Sequence, residues 1–437
     1  MRKNINIKSI ILDSGLEINV EQLANKENGI KFYVTELVHD NFDILDGLHK
    51  TIPLEKIKVR TLKNKIYTLF NCFYTVRGND ELYIHLVFNE IVRCEVEDRN
   101  FKCNKLIVEF DNTNNLKCKD FSENINFSVD DVKIKHMTNK NKYEVIISSK
   151  EHKERDTLFS YFSDYFEIIN LIIGYFPSIV KTTYKSNSKS YVIENEIVSK
   201  YITSDEYKKR DLGFLDNLDN ETFKEAYIKY RNFSENALLQ MSMYFMSTMK
   251  RNSYVEINVV NLLQTLDGLY DKLSKFKNKI VDYSSEMNDD IINLIKSVDF
   301  SDINSKHNNN ININNKIVGC IGRMNYVQYR MKLKNMFEYN DYIVFKEEKK
   351  NNNKPFIKYN TLINKCVNSR NKFSHVVDNE DYLFETENVV YIHKLILIFR
   401  LLVLEEIGLS TNINMQLLSL HISLINNYIK SVLSKKD

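Results

Sequence analysis

From Ile30 to about Ser149 the chain is a succession of short runs rich in β-branched and aromatic residues, each ended by a polar break. They read KFYVTEL, KIKVRTL, IYTLFNCFYTV, LYIHLVFNEIVRCEV, KLIVEF, INFSV, VKIKHM and KYEVIISS. Many short strands with little helix between them predict an antiparallel, sandwich-like β domain. RGND at 77–80 and DNTNN at 111–115 suit hairpin turns. Near residue 155 the period changes. Leu158, Phe159, Phe162, Tyr165, Phe166, Ile169, Leu171 and Ile172 recur at helical spacing, and Pro177 closes the segment.

Residues 177–220 are charged and weakly periodic and read as a connector with some structure of its own. From 221 to 437 the apolar spacing is helical almost throughout, with runs at 223–230, 234–249, 255–276, 290–298, 317–337, 359–377, 388–407 and 415–433. That pattern predicts an all-α bundle. Asn/Lys-rich stretches at 304–316 and 346–354 interrupt it as exposed loops. The expected fold is therefore α+β, with residues 1–176 a β-rich domain ending in a helix, 177–220 a connector, and 221–437 a helical domain.

The 437 residues suffice for two or three domains. A net charge of +3 gives no global field toward nucleic acid or anionic lipid, so any basic site must be local. The start, MRKNINIKSIIL, lacks the apolar core of a secretory signal, which predicts a cytoplasmic protein. Charges interrupt the two most apolar windows, Asp164 and Glu167 in one and Arg400 in the other, so no membrane span is expected. Six cysteines form no CxxC pair and lie in apolar stretches, as reduced core thiols do, and no metal or cofactor is expected. No Gly-rich phosphate loop supports a nucleotide-binding α/β reading of the first half.

One segment carries chemistry. Residues 366–377, CVNSRNKFSHVV, lie in a predicted helix whose apolar stripe is Leu362, Ile363, Cys366, Val367, Phe373 and Val377. Arg370 falls near the middle of that stripe, where a guanidinium needs a partner. Asn371 and His375 are one turn apart on the adjacent face. Arg, Asn and His suit RNA cleavage without metal. His can take the proton of a ribose 2′-hydroxyl or return one to the 5′-oxygen, Arg can clamp the scissile phosphate, and Asn can orient either. One His does not easily do both jobs, and a symmetric dimer would supply the second.

Arg370-Asn371-Lys372-Phe373-Ser374-His375 resembles the R-N-x-x-x-H motif of the HEPN (higher eukaryotes and prokaryotes nucleotide-binding) superfamily. LLQTLDGLY at 262–270 is similar to the L-x-x-L-E-x-Y helix of ApeA-like HEPN proteins, with Asp267 where that helix usually carries Glu, a reach shorter by one methylene. The β-rich half, with TLKNKIYTLFNCF at 61–73 and FKCNKLIVEF at 101–110, resembles the N-terminal domain of these bacterial anti-phage proteins. The resemblance implies an endoribonuclease of abortive infection, leaving 2′,3′-cyclic phosphate ends, with its active site at a HEPN dimer interface. Arg370 and His375 would be its phosphate clamp and acid/base, Asn371 an accessory residue, and Asp267 an orienting one. Implied partners are an RNA substrate (host tRNA or another transcript), a second copy in a homodimer or higher homo-oligomer, and a phage-derived trigger at the N-terminal domain.

Several residues admit a blander reading. Asp267 can equally be a flank carboxylate of an amphipathic helix. GRMNYVQYRMKLKNMFEY at 322–339 interleaves Arg323, Arg330, Lys332 and Lys334 with aromatics. Together with Lys372 these cations are candidates for RNA contact, although a helix with an aromatic core face and a basic solvated face reads the same way. Cys366 reads as packing rather than nucleophile. The alternative function is a non-catalytic HEPN scaffold that binds RNA or a partner protein.

Overall fold

The computed structural model describes residues 6–12, 14–22, 30–33, 42–43, 50–78, 82–110, 125–139, 142–173, 179–186, 189–195, 219–249, 255–279, 285–299, 328–344, 359–375 and 389–409, with isolated positions between them. The chain divides into two compact units, residues 1–228 and 229–437.

The first unit is an antiparallel sheet. Its strands are β1 (Ile7–Ile11), β2 (Glu17–Asn19), β3 (Ile30–Tyr33), β4 (Ile52–Thr61), β5 (Ile66–Arg77), β6 (Tyr83–Val92), β7 (Lys102–Phe110), β8 (Asn126–Val129), β9 (Val132–Asn139), β10 (Lys142–Glu154), β11 (Ile179–Ser186) and β12 (Lys189–Asn195). They run in the order β2-β1-β4-β5-β6-β12-β11-β7-β10-β9-β8. β5 takes one edge of β6, while β3 at Tyr83–Leu86 and β12 at Glu90–Val92 share the other. The eight apolar runs of the sequence become β3 to β10. β11 and β12 come from the stretch read as a connector, and they join β6 to β7 in the middle of the sheet. Their Lys, Thr and Ser residues (KTTYKS, KSYVIEN) mask a hairpin in which Tyr184 and Ile193 carry the buried contacts.

Side-chain alternation sorts the faces. Leu106, Val108 and Phe110 of β7 and Val145 and Ile147 of β10 are buried, on the strands against which helix α1 (Arg155–Ile173) packs. Phe110 stacks on Phe166 at 5.6 Å between ring centres. A second cluster, from Ile7, Ile10 and Ile18 to Val59, Leu69, Leu86 and Ile91, fills the other end of the sheet. Arg155, the first residue of α1, is buried and gives 2.5 and 2.9 Å hydrogen bonds to the two carboxylate oxygens of buried Glu90 on β6. Of the turn at 77–80, Arg77 ends β5 and Gly78 takes φ 117°, while residues 79–80, like those of the turn at 111–115, lie outside the described residues.

Helix α2 (Asn220–Asn236) spans the division between the units. The second unit continues with α3 (Leu238–Met249), α4 (Val255–Tyr270), a short 3-10 helix (Ser274–Lys279), α5 (Ser285–Ser297), α6 (Tyr329–Val344), α7 (Tyr359–His375) and α8 (Val389–Glu406). The expected helices at 255–276, 359–377 and 388–407 are these; 415–433 and both Asn/Lys-rich loops lie outside the described residues. α4 packs against α3, α6, α7 and α8, which accounts for the complete burial of Leu263, Leu266, Leu269 and Tyr270. α8 is apolar nearly all round, as a central helix is, and buries even Arg400. Among the described residues no helix is long and apolar enough to cross a membrane.

Candidate functional site

Three helices of the second unit meet at Arg370. On α7, Leu362, Ile363, Cys366 and Ser369 are buried, as the apolar stripe of the sequence requires. The Ser369 hydroxyl accepts a 2.9 Å hydrogen bond from the Leu383 amide, which ties the helix to the segment after it. Arg370 lies at the edge of this stripe with its side chain 33% exposed. Its Nη2 donates to Oδ2 of Asp267 on α4 at 2.8 Å. Its guanidinium carbon lies 4.6 Å from the ring centre of Tyr329 on α6, within cation–π range.

Asp267 is itself shared. Lys332, one turn beyond Tyr329 on α6, places Nζ 3.0 Å from Asp267 Oδ1 and 2.6 Å from Asp271 Oδ2. Burial depresses the Lys332 ammonium, but its hydrogen bonds to Asp271 and Asp267 outweigh that, and its pKa rises above the ordinary lysine value. Asn335, the next residue along this face of α6, donates from Nδ2 to the Tyr270 hydroxyl at 2.7 Å. Tyr270 in turn stacks on Phe276 at 4.5 Å. Among the described residues, no three His, Cys, Asp or Glu side chains are grouped to hold a metal ion.

Residues 260–413 match the family model Apea-like HEPN. The chain carries an Apea-like HEPN domain. The match takes in most of α4, from residue 260, and the whole of α6, α7 and α8, the helices that build and support the site. No curated protein and no solved structure matches the chain.

The HEPN domain distributes the residues singled out in the sequence unevenly. Asp267 and Arg370 meet directly. Asn371 and Lys372 follow on α7 and are half-buried. His375 is the last residue of α7, one turn after Asn371, and its side chain lies outside the described residues. Arg323 lies outside them as well. Arg330 is exposed. Lys332, a candidate for RNA contact, is instead 7% exposed and committed to Asp267 and Asp271. The same helix buries Leu333, Met336 and Phe337 completely, so the aromatic residue Phe337 is core rather than a stacking platform. Cys366 is fully buried, and that burial pushes its thiol far above the usual range, as packing requires and a nucleophile would not.

The sequence marks Tyr329 only as one of the aromatics interleaved with cations at 322–339, and gives no sign of its contact with Arg370. Only the crossing of α6 over α7 sets it apart.

Proposed function

We propose that this protein is a metal-independent endoribonuclease, an RNA-binding hydrolase of the HEPN superfamily, acting in anti-phage defence by abortive infection. The observation that carries the reading is the 2.8 Å clasp of Arg370 by Asp267, on a side chain that stays one-third open to solvent. A guanidinium fixed at one edge, with part of its surface open to solvent, is pre-organised to receive a phosphate.

The chemistry follows from the motif. Two HEPN domains pair in a homodimer and bring their α7 helices together. Arg370 clamps the scissile phosphate and offsets the charge that grows on its oxygens. His375 of one copy takes the 2′-hydroxyl proton, the 2′-oxygen attacks phosphorus, and the bond to the 5′-oxygen breaks. The second His375 returns a proton to the leaving 5′-oxygen, and the products carry 2′,3′-cyclic phosphate and 5′-hydroxyl ends. Asn371 orients the imidazole or the phosphate. The substrate is a host tRNA or another transcript in the cytoplasm, and the β unit senses a phage-derived trigger or restrains the nuclease until one arrives.

Induced expression in a bacterium tests this reading. Wild type arrests growth and yields discrete RNA fragments on a denaturing gel with phage present, while Arg370→Ala and His375→Ala leave growth and RNA intact. Equal behaviour of all three proteins would favour a HEPN scaffold that only binds.

A further inference from the structure

The clasp on Arg370 has a second layer, to which α6 contributes Tyr329 and Lys332. Asp267 is held at both oxygens, Oδ2 by Arg370 at 2.8 Å and Oδ1 by Lys332 at 3.0 Å. Lys332 is anchored on its far side by Asp271 at 2.6 Å, so Asp267 cannot rotate without breaking an ion pair. Two carboxylates and two cations are linked in one chain of ion pairs. Meanwhile the Tyr329 ring lies against the guanidinium at 4.6 Å. The Tyr329 hydroxyl is buried and makes no hydrogen bond among the described residues. An orphaned phenol is expensive, and among the described residues no polar group holds this side chain in place, so the contact seen there is the ring face under Arg370. Tyr329 and Lys332 stand three apart on one face of α6 and reach the site from the same side.

We propose that Tyr329 and Lys332 are positioning residues that fix Arg370 for phosphate binding, Tyr329 by supporting the guanidinium face and Lys332 by locking Asp267. Neither is a catalytic residue. Lys332 is too buried to meet an RNA strand and acts through Asp267, and Tyr329 acts through its ring. This inference rests on the ribonuclease reading for its effect on cleavage, but not for its effect on Arg370.

The test uses the purified full chain with two readouts. The first is the rate at which phenylglyoxal modifies Arg370, followed by mass spectrometry of the peptide that contains it. The second is kcat and KM for RNA cleavage. Tyr329→Leu and Lys332→Met release the guanidinium and raise its modification rate by about threefold or more, and they lower kcat/KM by about tenfold or more, chiefly through KM. Tyr329→Phe keeps the ring and stays within about twofold of wild type in both readouts, and Lys332→Arg recovers part of the loss. An unchanged Arg370 modification rate in folded Tyr329→Leu and Lys332→Met overturns the proposal. So does a Tyr329→Phe variant as impaired as Tyr329→Leu, a result that needs no disruptive substitution. If even wild type leaves RNA uncut, the ribonuclease reading fails, and the modification rates still decide the positioning role.

Discussion

Asp267 and Arg370 stand 103 residues apart in the chain and meet through a 2.8 Å hydrogen bond between α4 and α7. Asp267→Ala is expected to lower RNA cleavage by about ten- to a hundredfold, because a freed guanidinium samples orientations that do not face the phosphate. Asp267→Glu keeps the charge with one more methylene and retains part of the activity. Rates on one RNA with matched melting temperatures check this; full activity in Asp267→Ala would make the carboxylate a bystander.

In the β unit, Glu90 and Arg155 are both nearly dry. Removing one partner of a buried pair leaves the other's charge uncompensated, at about 3–5 kcal/mol. Glu90→Ala is therefore expected to be among the most destabilising single changes in the β unit. Urea unfolding gives the value, and a loss near that of a surface substitution would contradict the buried pairing of Arg155 with Glu90.

His136 on β9 is buried, and burial pulls its pKa down to about 3. The unfolded chain protonates this side chain near its ordinary value of about 6.5. Between these values the unfolded state binds a proton that the folded state refuses. Stability therefore falls as pH drops through that window, by up to about 1.4 kcal/mol per pH unit from this group, and is insensitive to it above. His136 Nδ1 lies 2.7 Å from the Tyr165 hydroxyl. His136→Gln can replace that bond without titrating, so it should flatten the pH dependence of unfolding free energy relative to wild type.

Much of this architecture is legible in the sequence where burial follows period. Alternation gave β3 to β10, and the helical stripe from Leu158 to Ile172 gave α1. The hairpin at 179–195 was hidden because strands inserted between others are paid for by backbone hydrogen bonds, and their exposed Lys and Ser positions carry no apolar signal. At the site, Arg370 stood out by its place on an apolar stripe, and Asp267 only through the resemblance of its helix to the L-x-x-L-E-x-Y pattern. The roles of Lys332 and Tyr329 were not visible, since local sequence cannot report that α6 crosses α4 and α7 at those two residues. Lys332 read as a solvated cation because a buried ion pair and a surface lysine look alike in one dimension.

Burial pushes the thiols of Cys72 and Cys103 up to about 12 and that of Cys366 higher still. With almost no thiolate at neutral pH and little access, these three should resist Ellman's reagent in the folded chain and react on unfolding. Cys366→Ala should leave cleavage rates near wild type despite lying one turn from Arg370. A strong loss would move Cys366 from packing into the chemistry.

The central claim is that Arg370 and His375 cut RNA by 2′-hydroxyl attack. The most direct measurement incubates purified wild type, Arg370→Ala and His375→Ala with RNA in the presence of EDTA and identifies the product ends. The account predicts fragments with 2′,3′-cyclic phosphate and 5′-hydroxyl ends from wild type and none from either variant, with all three proteins sharing one oligomeric state. Cleavage that survives both substitutions, or products with 3′-hydroxyl ends, would contradict it.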